Sequence, residues 1–156
     1  MEVAERAVSS LDLPTRFADF LTQDWGIEQL HPPQAEAAPS ILNGENTLVA
    51  IPTASGKSLL AYMGMVKRIS EGHSRSKAIY IVPLKALAME KYEDLSAIAE
   101  AMGWSVGLGI GDATAEAKNI DDCNILVCTS ENSIRCFATE PNLFRMFVAS
   151  SLMNSI

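Results

Sequence analysis

Eight consecutive residues could do chemistry together. Ile51-Pro52-Thr53-Ala54-Ser55-Gly56-Lys57-Ser58 follows a short apolar run and opens a helical pattern. A loop at such a strand-to-helix junction turns its backbone N–H groups onto a phosphate. The N-terminus of the following helix adds positive potential. Gly56 lets the backbone approach closely, Lys57 reaches β- and γ-phosphates, and Ser58 offers a hydroxyl to Mg2+. The general phosphate-loop pattern opens with glycine, and here that position is Ile51. The junction of strand, loop and helix supports the phosphate reading over that of an ordinary polar loop with a surface lysine.

Other candidate chemistry is thin. Cys123, Cys128 and Cys136 are odd in number and have no Cys-x-x-Cys spacing, which argues against a disulfide framework or a zinc site. Cys128 sits in an apolar run and reads as a core residue. His31 has no second ligand nearby and reads as packing before a helix; His73 reads as a loop residue. Asp121-Asp122 precede a strand, at the wrong end of a sheet for a metal pair, and read as a solvated turn. The net charge of −7 gives no general attraction to nucleic acid, so any such surface is local. No apolar run approaches the roughly 20 residues of a membrane span, and the N-terminus lacks a secretory pattern. The expectation is a soluble, cytoplasmic protein without a membrane partner.

The elements that position these residues follow from periodicity. Leu13 to Asp24 is predicted as an amphipathic helix with Phe17, Phe20 and Leu21 on one face, stopped near Gly26. Pro32-Pro33 opens a second helix to about Asn43, closed by Gly44. Strand and helix patterns then alternate. Thr47 to Ile51 is predicted as a buried strand, Lys57 to Ser70 as a helix, and Ala78 to Val82 as a strand. Leu84 to Met102 follows as a helix, Ser105 to Ile110 as a weaker strand, Asn124 to Cys128 as a strand and Glu131 to Phe137 as a helix. Met63 and Met65 read as packing in the helix after the loop. The alternation implies βαβ units, a parallel sheet flanked by helices, and ligands beyond the carboxyl ends of its strands.

Five short motifs, in order, resemble those of superfamily 2 helicases. Pro52-Thr53-Ala54-Ser55-Gly56-Lys57-Ser58 looks like motif I, where an initial glycine is not required. His31-Pro32-Pro33-Gln34-Ala35-Glu36-Ala37 looks like the Q-motif region, and Pro83-Leu84-Lys85-Ala86-Leu87-Ala88 like motif Ia. Gly111-Asp112 resembles the Gly-Asp element, and Thr129-Ser130-Glu131 resembles motif Ib. The group most resembled is the Ski-like archaeal DNA helicases that act at stalled replication forks, over residues 13 to 135. The resemblance implies a RecA-like domain binding ATP and Mg2+, with Gln34 reading adenine and Pro52 to Ser58 holding the phosphates. An amide has both donor and acceptor for the adenine edge. It also implies that Pro83, Leu84, Lys85, Gly111, Thr129 and Ser130 serve a nucleic-acid backbone. Helix N-termini, a lysine and hydroxyls suit phosphates without reading bases. Single-stranded or forked DNA is the expected partner; RNA remains an alternative, because backbone contacts discriminate poorly.

The resemblance implies a following strand that ends in an Asp-Glu pair, motif II. The 156 residues contain no such pair, and the last acidic residue is Glu140. The expected organisation is N-terminal helices over 1–45, a partial RecA-like domain over 46–135, incomplete at its C-terminal side, and a divergent tail over 136–156. Met146, Phe147 and Val148 could add a strand, or the tail could be disordered. The sequence leaves open a frameshift, an early stop or a short paralogue. Two functions follow: an ATP-binding first motor domain without its hydrolysis motif, completed by a separate chain, or a non-catalytic module regulating a full-length helicase.

Overall fold

The computed structural model describes residues 6–51, 56–72, 76–110, 123–132 and 146–150, the last segment by its backbone alone. α1 spans Thr15–Gln23, and its i, i+3, i+4 pattern buries Phe17, Phe20 and Leu21. The Phe20 ring lies 5.0 Å from that of Trp25, and Trp25 lies 6.1 Å from Tyr62, close enough for aromatic contact. α2 spans Pro32–Leu42 with proline in its first turn, where a missing N–H costs nothing. It ends in a Schellman motif. Glu45 N–H donates to Ser40 carbonyl at 3.0 Å and Gly44 N–H to Ile41 carbonyl at 3.0 Å. Gly44 takes the left-handed φ of 79° that this stop requires.

α3 spans Lys57–Glu71 and buries Leu59, Leu60, Tyr62, Met63, Met65, Val66 and Ile69. Met63 and Met65 are fully buried, in keeping with a packing role. α2 packs directly on α3. These elements belong to the first of two compact units, Met1–Glu71; the second is Gly72–Ile156.

The expected strand at Thr47 to Ile51 does not form. The segment has no strand assignment, and Leu48 is 94% exposed. Apolar content suits a strand, but a strand also needs a partner edge for its backbone groups. Among the described residues, all four strands pair with one another and none pairs with 47–51.

The second unit holds β1 (Lys77–Val82), α4 (Lys85–Met102), β2 (Val106–Gly109), β3 (Ile125–Thr129) and β4 (Met146–Ser150). The sheet order is β2-β3-β1-β4, and every pairing is parallel. The tail therefore does add a strand, in register with β1 from Lys77↔Met146 to Ile81↔Ser150. Ile79, Leu126 and Cys128 form a buried apolar cluster with Cys123. Period-two alternation sends Tyr80 and Val127 to the opposite face. α4 packs on β1, β2 and β3 and buries Ala88, Leu95, Ile98 and Ala99. The helix expected over Glu131 to Phe137 starts at Ser130, and residues 133–145 lie outside the described set. Among the described residues no helix is long and apolar enough to cross a membrane, and no cluster of His, Cys, Asp or Glu could hold a metal ion.

Candidate functional site

The first unit brings the base-reading candidate to the phosphate loop. Gln34 lies at the third position of α2 and is only 3% exposed. Its Oε1 accepts the His31 backbone N–H at 2.8 Å, satisfying a donor at the helix N-terminus. Its Nε2 donates to the Gly56 carbonyl at 3.0 Å. An amide has two N–H bonds and two lone pairs. One of each is left after these two bonds, which is what a purine edge requires.

Gly56 makes that contact possible. Its φ is +69°, where a side chain is strained. A Cβ built there would stand 2.4 Å from Gln34 Nε2. The chain then turns straight into α3, where Leu59 N–H donates to the Gly56 carbonyl at 3.1 Å. Lys57 and Ser58 are the first two residues of α3, both partly exposed. Their position gives them the positive end of a helix, with a cation and a hydroxyl beside it. Glycine, lysine and serine so placed fit a phosphate chain with Mg2+. Pro52, Thr53, Ala54 and Ser55 lie outside the described residues.

His31 closes a capping box with Gln34 at the start of α2, and its exposure does not fit the packing role expected of it. It is the residue before α2, its side chain is exposed, and its N–H fixes Gln34. The first unit also holds an ion-pair group that sequence reading missed. Lys67 Nζ lies 2.6 Å from Asp12 Oδ2 and 2.9 Å from Glu71 Oε1. The hydrogen bond that Lys67 donates to Asp12, then that to Glu71, raises the Lys67 pKa above its ordinary value against the opposing effect of burial. The i, i+4 pair with Glu71 is a sequence signal; the Asp12 pair has none.

In the second unit the carboxyl ends of β1 and β3 are adjacent, with Val82 opposite Thr129. Pro83 and Leu84 leave β1, and Lys85 begins α4. All three are exposed, Leu84 at 59%. Thr129 is buried at 6%, which leaves Ser130 as the exposed hydroxyl of the pair. Ser130 Oγ lies 3.4 Å from the Val82 carbonyl. Asn132 Nδ2, also missed from sequence, donates to the Gly109 carbonyl at 3.1 Å and stitches the new helix to the end of β2. Lys85, Leu84, Pro83 and Ser130 thus share one end of the sheet, beside two helix starts. Gly111 lies outside the described residues.

Comparisons with known proteins agree with this geometry. Residues 31–149 match the family described as DEAD/DEAH box helicase. The chain is 47% identical over 131 residues to the ATP-dependent DNA helicase Hel308 of Methanocella arvoryzae, covering 81% of this chain and 17% of that protein. It is 42% identical over 125 residues to the Hel308 of Pyrococcus abyssi, covering 80% of this chain and 17% of that one. The chain therefore spans about a sixth of the length of these curated relatives. A crystal structure of the DUF1998 helicase MrfA bound to DNA and AMPPNP superposes with a TM-score of 0.64 at 26% identity, over 75% of this chain and 17% of that one. A second MrfA structure gives 0.73 at 21% identity, over 89% and 23%, which speaks to the fold alone.

Proposed function

The chain belongs to the DEAD/DEAH box helicase family, and on that premise we propose that it is the ATP-binding N-terminal part of the first motor domain of an ATP-dependent DNA helicase. The parallel sheet with α4 packed on it is that of a RecA-like domain in part. The observation that carries the nucleotide reading is the 3.0 Å bond from Gln34 to Gly56. It ties the adenine-reading amide to the loop that holds phosphate, so both ends of one nucleotide meet one rigid joint.

In this reading Gln34 reads adenine, and Pro52, Thr53, Ala54, Ser55 and Gly56 wrap the phosphates with backbone N–H groups. Lys57 neutralises the β- and γ-phosphates and Ser58 holds Mg2+, which would supply further charge neutralisation. Pro83, Leu84, Lys85, Gly111, Thr129 and Ser130 serve the strand backbone. Lys85 and Ser130 carry most of that contact, since Thr129 is buried. The relatives are named as DNA helicases; single-stranded or forked DNA is the proposed ligand here, and RNA would offer the same backbone phosphates. The remaining helicase domains, whether carried by a separate chain or by more of this one, would complete the motor, in an intracellular setting. These 156 residues contain no Asp-Glu pair, so they hold nucleotide without hydrolysing it.

Calorimetric titration of ATP with Mg2+ tests the reading. Wild type is expected to bind, and Lys57→Ala to bind about tenfold or more weakly, because a hydrogen bond to a charged group contributes ~1.5–3 kcal/mol. Equal affinity in the two proteins would remove the phosphate loop from the explanation.

A further inference from the structure

The segment ahead of α1 touches both elements of the nucleotide site. Ala7 forms an antiparallel bridge with Gln29. Val8 N–H donates to the Glu28 carbonyl at 2.9 Å, and Leu30 N–H donates to the Arg6 carbonyl at 2.8 Å. Val8 and Leu30 are buried at 0% and 2%. Leu30 is followed directly by His31, whose N–H holds Gln34 Oε1. One end of the segment thus fixes the entry to α2. The other end is Asp12, paired at 2.6 Å with Lys67 on α3, the helix that begins with Lys57 and Ser58.

We propose that Arg6–Asp12 is a brace that sets the adenine-reading amide in register with the phosphate loop, with Asp12 and Lys67 as positioning residues for base recognition. The inference rests on the reading of Gln34 as the adenine contact. The brace is strapped by backbone bonds to the strand-like approach of α2 and by an ion pair to α3. Gln34 sits at the start of α2 and Gly56 just ahead of α3, so a shift at either anchor moves Gln34 relative to Gly56. The hydrogen bond between them tolerates little movement before it weakens. Lys67 is only 9% exposed in its side chain and has Glu71 as a second partner, whereas Asp12 is 86% exposed. An ion pair so open on one side contributes little to stability. Its removal therefore costs only a small part of the stability, leaves the chain folded, and reads out as loss of alignment. Lys67 stays paired with Glu71 when Asp12 is neutralised, so Asp12→Asn leaves no buried charge alone.

The test compares ATP, GTP and inorganic tripolyphosphate by calorimetry on the full chain. The proteins are wild type, Asp12→Asn, Lys67→Met and Lys67→Arg. Tripolyphosphate engages the phosphate loop without a base. In Asp12→Asn and Lys67→Met, ATP is expected to weaken about threefold to tenfold, the scale of one hydrogen bond. Tripolyphosphate should be unchanged, and the preference for ATP over GTP should shrink by the same factor. Lys67→Arg should restore wild-type values. Should Lys67→Met fail to fold, Asp12→Asn decides alone. A wild-type ATP preference that survives unaltered in Asp12→Asn overturns the brace and leaves the proposed function standing. Equal losses for ATP and tripolyphosphate also overturn it, because a general structural role does that. A wild type with no preference for ATP over GTP overturns the reading of Gln34 itself, and the brace with it.

Discussion

Gly56 answers two demands at once. Its φ of +69° disfavours any side chain, and the space a Cβ would fill is held by Gln34 Nε2 at 2.4 Å. Gly56→Ala should therefore strain the backbone by ~1–2 kcal/mol and push the amide off the loop. A lowered urea midpoint together with weakened ATP binding is expected; an unchanged midpoint would show that the left-handed turn is not needed. The run Gly56-Lys57-Ser58 is legible in sequence because neighbours along the chain share one junction. The partner of Gln34 is not legible, because a bond across 22 residues is set by the packing of α2 on α3. The Asp12 to Lys67 pair is hidden for the same reason. Asn132 carries no periodic signal either, since its role depends on where β2 ends beside β3.

Elements with their own periodicity are the ones the sequence reveals. Phe17, Phe20 and Leu21 mark α1 at helical spacing and are buried together. Gly44 marks the end of α2 by a backbone geometry only glycine adopts cheaply. Thr47 to Ile51 misleads because its five residues have strand character but no described neighbour to pair with. α3 buries Met63 fully. Met63→Ala should destabilise the first unit by about 2–5 kcal/mol, the usual cost of emptying a core site, measured by urea unfolding. α3 also sets a pH response through Lys67. Its folded pKa lies above 10.5, raised by Asp12 and then Glu71. A cation whose pKa is higher folded than unfolded stabilises fully below the unfolded value, and that stabilisation fades as pH rises through the folded value. Unfolding midpoints of wild type should therefore fall above about pH 10.5 more steeply than those of Lys67→Met. Parallel decline of the two would mean that the buried ammonium is not the cause.

The molecule as a whole is acidic, with a net charge of −7, so the proposed binding to a strand rests on local groups at one end of the second unit's sheet. Among the described residues, Lys85 brings a single cation there and Ser130 a hydroxyl, beside two helix N-termini. Few phosphates are neutralised by such a surface. Single-stranded DNA binding measured by anisotropy should be weak and indifferent to sequence, with a shallow salt slope of about −1 to −2, as expected for one to three phosphates. A strong sequence preference would point to base readout that these residues do not offer. On the proposed reading, these 156 residues hold ATP through Lys57 and leave it intact. Positioning and charge stabilisation carry phosphoryl transfer, and an arginine finger alone is worth on the order of 10³ to 10⁵ in rate. The most direct measurement is a ³¹P NMR time course of stoichiometric ATP with Mg2+ and saturating single-stranded DNA, beside Lys57→Ala. The β- and γ-phosphate signals should shift or broaden with wild type only and persist without conversion to ADP. Spectra matching free ATP in both samples, or Lys57-dependent release of phosphate near about 1 per second, the low end for working enzymes, would contradict it.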